Sequence, residues 1–224
     1  MPTAQEAIAW LRNPASEVSC HYVVAEDGDI LQLVAEDRRA WHAGVSRWKG
    51  ETDLNSASIG IEIVNPGHLG DAPPPPFPAR QIEAAIALLR DLGARHRLRP
   101  ERILAHSDIA PARKRDPGET FPWETLWRAG VGHWVAPAPL STEGPAQHRG
   151  QEGPPVRALQ ALLALYGYGV DLTGVFDRQT ETVVAAFQRR FRPARIDGVA
   201  DASTVATLRA LLDGLDAGPE SRGP

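Results

Sequence analysis

Along residues 4–11 and 80–96 apolar positions recur at helical spacing. In the second stretch Ile82, Ala85, Ile86, Leu89 and Leu92 fall on one face, so both segments are predicted helices. Residues 18–24 and 30–34 are short apolar runs either side of Glu26-Asp27-Gly28-Asp29, the pattern of strand, turn and strand. Residues 58–64 alternate: Ile59, Ile61 and Ile63 share one side of a strand and Glu62 takes the other. Residues 71–78 hold four consecutive prolines and must be a loop. A short strand is predicted over 102–105, delivering His106. Strands interleaved with helices in this order predict an α/β sheet domain over residues 1–136.

After a Pro-, Gly-, Ser- and Thr-rich linker at 137–155, residues 156–213 read as a smaller unit of three helices. Its apolar stripes are Val156, Leu159, Leu163 and Tyr166; Val183, Val184, Phe187 and Phe191; and Val205, Leu208 and Leu212. A repeat runs through it. Gly174-Val175-Phe176-Asp177 with Thr180 recurs as Gly198-Val199-Ala200-Asp201 with Thr204, each Asp where a helix N-cap belongs. Residues 214–224 are expected to be a disordered tail.

Composition then narrows the function classes. The length of 224 residues suits two modest domains, and 42% apolar residues is too many for a disordered chain. The net charge is −4 and Arg is balanced by Asp and Glu, so nothing points to nucleic acid. The apolar runs are far too short to predict a membrane span. Residues 1–11, which include Glu6, do not read as a signal peptide. Cys20 is the one cysteine, which excludes an intrachain disulfide and an all-cysteine zinc site; a metal would need His and carboxylates.

The densest polar cluster is residues 106–118. His106 and Asp116 both suit zinc, and the loop between them could bring them to one point. Two ligands do not make a catalytic site, which normally has three protein ligands and a water. On spacing alone a solvated charged loop is the stronger reading.

Other segments change that balance. Trp41-His42-Ala43-Gly44, Ser58-Ile59-Gly60-Ile61-Glu62-Ile63-Val64-Asn65 and the 106–118 segment succeed one another in order. Ser19-Cys20-His21-Tyr22-Val23-Val24 and Asp27-Gly28 fit the same pattern. Together they resemble the type 2 N-acetylmuramoyl-L-alanine amidases, which include phage lysozyme-like amidases and animal peptidoglycan recognition proteins. The resemblance covers residues 1–136 and implies a mixed central sheet flanked by helices. It is nearest to bacterial members with this His-to-Asp spacing and a Lys two positions before the Asp.

The resemblance implies that His106 and Asp116 bind Zn2+ as second and third ligands. Lys114 would stabilise the oxyanion, and Glu62 would be the general base on the zinc-bound water. His21, Trp41, His42, Asn65 and Arg113 would belong to the substrate cleft. The implied reaction is hydrolysis of the amide joining N-acetylmuramic acid to L-alanine. Zinc would polarise the carbonyl and bring the pKa of its water to about 7. A cation beside the developing oxyanion favours the transition state over the substrate. Without the resemblance, Glu62 could simply face water, Lys114 could be solvated charge between two arginines, and His42 could be held by a backbone bond. Cys20 stands where some relatives have Tyr. His68, His96, His133 and His148 match nothing and are expected at the surface.

In the family the first zinc His lies on a strand before the first helix. Here residues 1–4 resemble the segment just after that strand, and no His precedes His21. The expectation is that Met1 is an internal methionine, that the first zinc ligand lies outside this sequence, and that the chain as it stands binds zinc weakly or not at all. Residues 156–213 resemble the small peptidoglycan-binding domain of cell-wall hydrolases, through Leu159-Gln160, Gly167-Tyr168, Phe187-Gln188, Asp197-Gly198 and the repeated turns. Peptidoglycan or muropeptides are the implied partners, the chain is expected to be a monomer, and the cell envelope (periplasm) is favoured over the cytoplasm. Two other readings compete: a non-catalytic binder of wall fragments, which would need no base or oxyanion donor, and a glycan-cutting hydrolase, which would need two carboxylates flanking a sugar bond.

Overall fold

The computed structural model describes residues 3–70, 72–140 and 144–216. Helix α1 (Ala4–Leu11) begins where the Thr3 side chain accepts from the Glu6 amide. Strands β1 (Tyr22–Val24), β2 (Ile30–Gln32) and β3 (Ile61–Ile63) form a sheet ordered β2-β1-β3, with β1 antiparallel to β2 and parallel to β3. The mixed sheet with flanking helices is the predicted fold class. All three strands are shorter than the apolar runs that predict them.

Alternation along β1 sets the layers. Val23 packs with Ala7 and Cys20 beneath α1, whereas Tyr22 and Val24 pack with Leu88 and Leu92 of α3 (Ala79–Arg95). Ile61 and Ile63 join the α3 side. Successive strand residues point to opposite faces, so Glu62, in register with Val23, is turned toward the α1 side. Gln81, fully buried in α3, donates to the Val24 and Val64 carbonyls at 3.1 and 2.8 Å and so ties the helix to the ends of β1 and β3.

Between these elements lie the short α2 (Leu54–Ala57), α4 (His106–Ile109) and α5 (Trp123–Arg128). No strand forms over 102–105. That segment runs from a 3-10 turn (Pro100–Arg102) straight into α4, and the Ile103 carbonyl accepts from the Arg190 side chain instead of a neighbouring strand.

The second unit comprises α6 (Pro154–Tyr166), α7 (Arg178–Phe191) and α8 (Ala202–Asp216). Its repeat is physical. Gln160 accepts from the Gly174 amide (2.8 Å) and donates to the Val175 carbonyl and the Thr180 hydroxyl. Gln188 does the same with Gly198 (2.9 Å), Val199 and Thr204. Asp177 and Asp201 accept from the Thr180 and Thr204 amides as predicted of N-caps. Helix α8 runs on to Asp216, past the predicted end of the unit; the rest of the expected tail, 217–224, lies outside the described residues.

The two units share one core. Ala43, Trp48 and Leu54 of the first are buried with Tyr166, Tyr168, Phe187 and Phe191 of the second. Trp48 stands edge-on to Tyr168 with ring centres 5.0 Å apart. It packs so close to Gly167 that a Cβ there would lie 2.5 Å from the indole, so only glycine fits. The connecting segment is also held: Ala138 bonds Thr207 and Ser203, and Gln147 exchanges backbone bonds with Ala200.

Candidate active site

Glu62 is presented by β3, on the sheet face away from the isoleucines, and is only half-buried. His106 opens α4. The loop after it folds back so that the Ser107 amide donates to the Asp116 carbonyl at 3.0 Å, and the Asp116 carboxylate meets His106: Nδ1 to Oδ2 is 2.9 Å. The other imidazole nitrogen, Nε2, faces the Ala43 carbonyl at 3.2 Å. Lys114 is placed by its amide, which donates to Ala110.

The four groups act on one another. Burial pushes the Glu62 carboxyl above the usual range and the charge of Asp116 adds to this, while His106 and Lys114 pull the other way. Burial would also raise Asp116, but the hydrogen bond and charge of His106, with Lys114, hold it below the usual carboxylate range. Behind Glu62 the buried Cys20 thiol is pushed up to about 12 by burial and by the Glu62 charge, which leaves it an unreactive thiol.

The residues expected in the substrate cleft are placed in different ways. Trp41 is 55% exposed, with the Arg39 guanidinium 4.4 Å from its ring centre. His42 accepts the close approach of Gly60, where a Cβ would lie 2.3 Å from the ring, and its Nε2 faces the Ser58 carbonyl. Burial, then the neighbouring His21, lower its pKa to about 4 despite the bond to Ser58. His21 is buried; its Nδ1 accepts from the Gly60 amide at 2.9 Å, so Nε2 carries the proton and donates to the Arg38 carbonyl. Arg113 donates to the Ala43 and Val45 carbonyls and so shapes the 43–45 segment. Asn65 donates to the Pro75 carbonyl and accepts from the Gly67 amide, within the proline loop.

His133, expected at the surface, is buried instead, because its Nδ1 meets the Tyr166 hydroxyl at 2.9 Å at the junction of the two units. Sequence reasoning also misses Asp108, Tyr168 and Arg190, which form a buried cluster under α4. The one signal for them is Arg190 itself, three positions after Phe187 on the apolar stripe of α7.

As a zinc site, the arrangement fits in part. A ring nitrogen and a carboxylate oxygen facing each other at 2.9 Å are a donor pair that one cation could share. Among the described residues no third His, Cys, Asp or Glu joins them.

Comparison with known proteins gives the family. Residues 1–119 match the N-acetylmuramoyl-L-alanine amidase family and residues 152–208 a peptidoglycan binding domain family. The amidase AmiD of Escherichia coli is 43% identical over 211 residues, 88% of this chain and 74% of that protein. Its structure in complex with the substrate anhydro-N-acetylmuramic acid-L-Ala-D-gamma-Glu-L-Lys has a TM-score of 0.80 at 39% identity, covering 94% of this chain and 84% of that one. AmpDh3 of Pseudomonas aeruginosa in complex with anhydromuramic pentapeptide has a TM-score of 0.77 at 30% identity, covering 96% and 88%. The 1,6-anhydro-N-acetylmuramyl-L-alanine amidase AmpD of Enterobacter cloacae is 38% identical over 122 residues, 54% of this chain and 61% of that protein. With its first 119 residues matched and AmiD alike along both units, the chain belongs to the N-acetylmuramoyl-L-alanine amidase family of enzymes and carries a peptidoglycan-binding domain as its second unit.

Proposed function

We propose that this chain hydrolyses the amide between N-acetylmuramic acid and L-alanine in peptidoglycan fragments, anhydro-muropeptides among them. What carries the reading is the gathering of Glu62, His106, Lys114 and Asp116 from separate stretches of chain into one electrostatic cluster. His106 and Asp116 would hold a zinc ion together with a further donor. Bound there, zinc supplies Lewis-acid polarisation of the scissile carbonyl and a more acidic water.

The remaining work falls to the chain. Glu62, with its raised proton affinity, takes a proton from the attacking water and returns it to the L-alanine nitrogen as the carbon–nitrogen bond breaks. The Nζ of Lys114 donates to the carbonyl oxygen as negative charge develops on it. The exposed faces of Trp41 and Val45, beside the Ala43 carbonyl that His106 faces, give the substrate an apolar rim. His21 supports His42 from behind, Arg113 fixes the 43–45 segment, and Asn65 fixes the loop beyond β3. We further propose that the chain acts as a monomer in the cell envelope on periplasmic wall material. Among the described residues, no helix is long and apolar enough to cross a membrane.

The reading is tested by incubating the zinc-supplemented chain with a defined anhydromuramyl-tripeptide and weighing the products. Free tripeptide and free sugar are expected, and Glu62→Gln should slow the release of both by about 10²- to 10⁴-fold. Cleaved glycan with an intact sugar–peptide amide, or no product at all, would remove the proposal.

A further inference from the structure

The turn that presents His106 is held from the second unit. The fully buried Asp108 carboxylate accepts from the Ala105 amide through Oδ2 at 2.8 Å and from the Tyr168 hydroxyl through Oδ1 at 2.7 Å. It also accepts from Nη1 of Arg190, and Arg190 Nη2 donates to the Ile103 carbonyl at 2.8 Å. The guanidinium lies 4.1 Å from the centre of the Trp123 ring, which holds it on a second side. One side chain of α7 thus fixes the backbone entering α4 twice, at carbonyl 103 directly and at amide 105 through Asp108. The next residue is His106, and the amide after it holds Asp116. Arg190 is 3% exposed and Asp108 0%, so water does not compete, and charge-assisted bonds there are strong and directional. A buried ion pair adds little net stability over apolar residues of the same volume; what it adds here is a defined position.

We infer that Arg190, assisted by Tyr168, is a positioning residue for the amidase chemistry. Acting through Asp108, it sets the place and direction of the His106 imidazole, so the second unit completes the first unit's active site. This rests on the role proposed for His106.

The test uses the full chain and four variants. Arg190→Gln removes the charged fork, Arg190→Lys keeps only the charge, and Tyr168→Phe removes a single hydroxyl. Arg192→Gln is the control, because Arg192 is another buried arginine, paired with Asp201 inside the second unit. Two properties are read: kinetics of peptide release, and ring resonances of nitrogen-labelled histidine, with His106 assigned by its loss in His106→Ala. Arg190→Gln should lower kcat about tenfold or more with KM within about twofold, as expected of a displaced reacting group. It should also move the His106 resonances. Tyr168→Phe should move them the same way by less, and Arg190→Lys should recover part of both effects. Arg192→Gln should lower the melting temperature and leave the His106 signals in place. Should Arg190→Gln fail to fold, Tyr168→Phe against Arg192→Gln decides. Unmoved His106 resonances in the folded Arg190→Gln variant, or in Tyr168→Phe where that arm decides, overturn the inference, as does an equal movement in Arg192→Gln. A wild-type chain that releases no peptide ends the amidase reading, while the resonances still decide this one.

Discussion

Two carboxylates serve the short helix α4, and the fold treats them oppositely. Asp116 meets His106 at the surface, its side chain 58% exposed; Asp108, two residues after that histidine, meets Arg190 with nothing exposed. Both pair a carboxylate with a nitrogen-bearing side chain. The outer one is partly open to water, which weakens the net attraction, and on the proposed reading either partner would exchange the other for a metal. The inner one is sealed, and losing one member would strand a buried charge. On the proposed reading, adaptable chemistry would sit on a fixed support, the division expected where reacting groups must be held to a fraction of an ångström.

The widest separation between outer and inner groups should come from Glu62→Gln. Peptide release should fall by about 10²- to 10⁴-fold, the usual contribution of a positioned base, while the melting curve stays within a degree or so of wild type. An equal loss of melting temperature would mean that Glu62 belongs to the support. Next is Asp108→Ala, which leaves Arg190 buried without its acid. Urea unfolding should show a loss of about 3–5 kcal/mol. A loss under about 1 kcal/mol would place the inner pair in the same class as the outer one.

The pH dependence sharpens the contrast more gently. His42 has an ordinary value of 6.5 and is lowered to about 4 in the folded chain. Between those values the unfolded chain binds more protons, so stability falls as pH drops from about 6.5 toward about 4. His42→Gln should flatten that part of the stability–pH curve, and an unchanged slope would assign it to other groups. Asp116→Ala should also cost little stability, under about 1 kcal/mol for the zinc-free protein. The same variant should lose zinc on dialysis where the parent chain retains more.

Much of this is legible in the sequence because it is local. Helical periodicity locates α1 and α3 to within a residue or so, and alternation gives the facing of Glu62 against its isoleucines. The short loop between His106 and Asp116 allows them to meet, but spacing alone favours a solvated loop, and it is the family resemblance that pairs them. Strand lengths are overestimated because apolar runs report burial, whereas a ladder also needs a partner; residues 102–105 are apolar at 103–105, but the Ile103 carbonyl bonds Arg190 instead. The Asp108–Arg190 pair spans 82 positions and leaves no periodic trace. Its one sign, an arginine on an apolar stripe, also fits a side chain that reaches out to water. His133 is misplaced for the same reason, since its partner Tyr166 lies in the other unit.

Trp48, wedged where Gly167 leaves no room for a methyl group, has a further consequence. A tethered hook and a blade on a loose string sample many separations, but here the hook is welded to the handle. On the proposed reading, whatever length of wall the helical unit grips would be offered to Glu62 at one set reach, so the geometry of the grip would decide which bonds along a fragment can be cut.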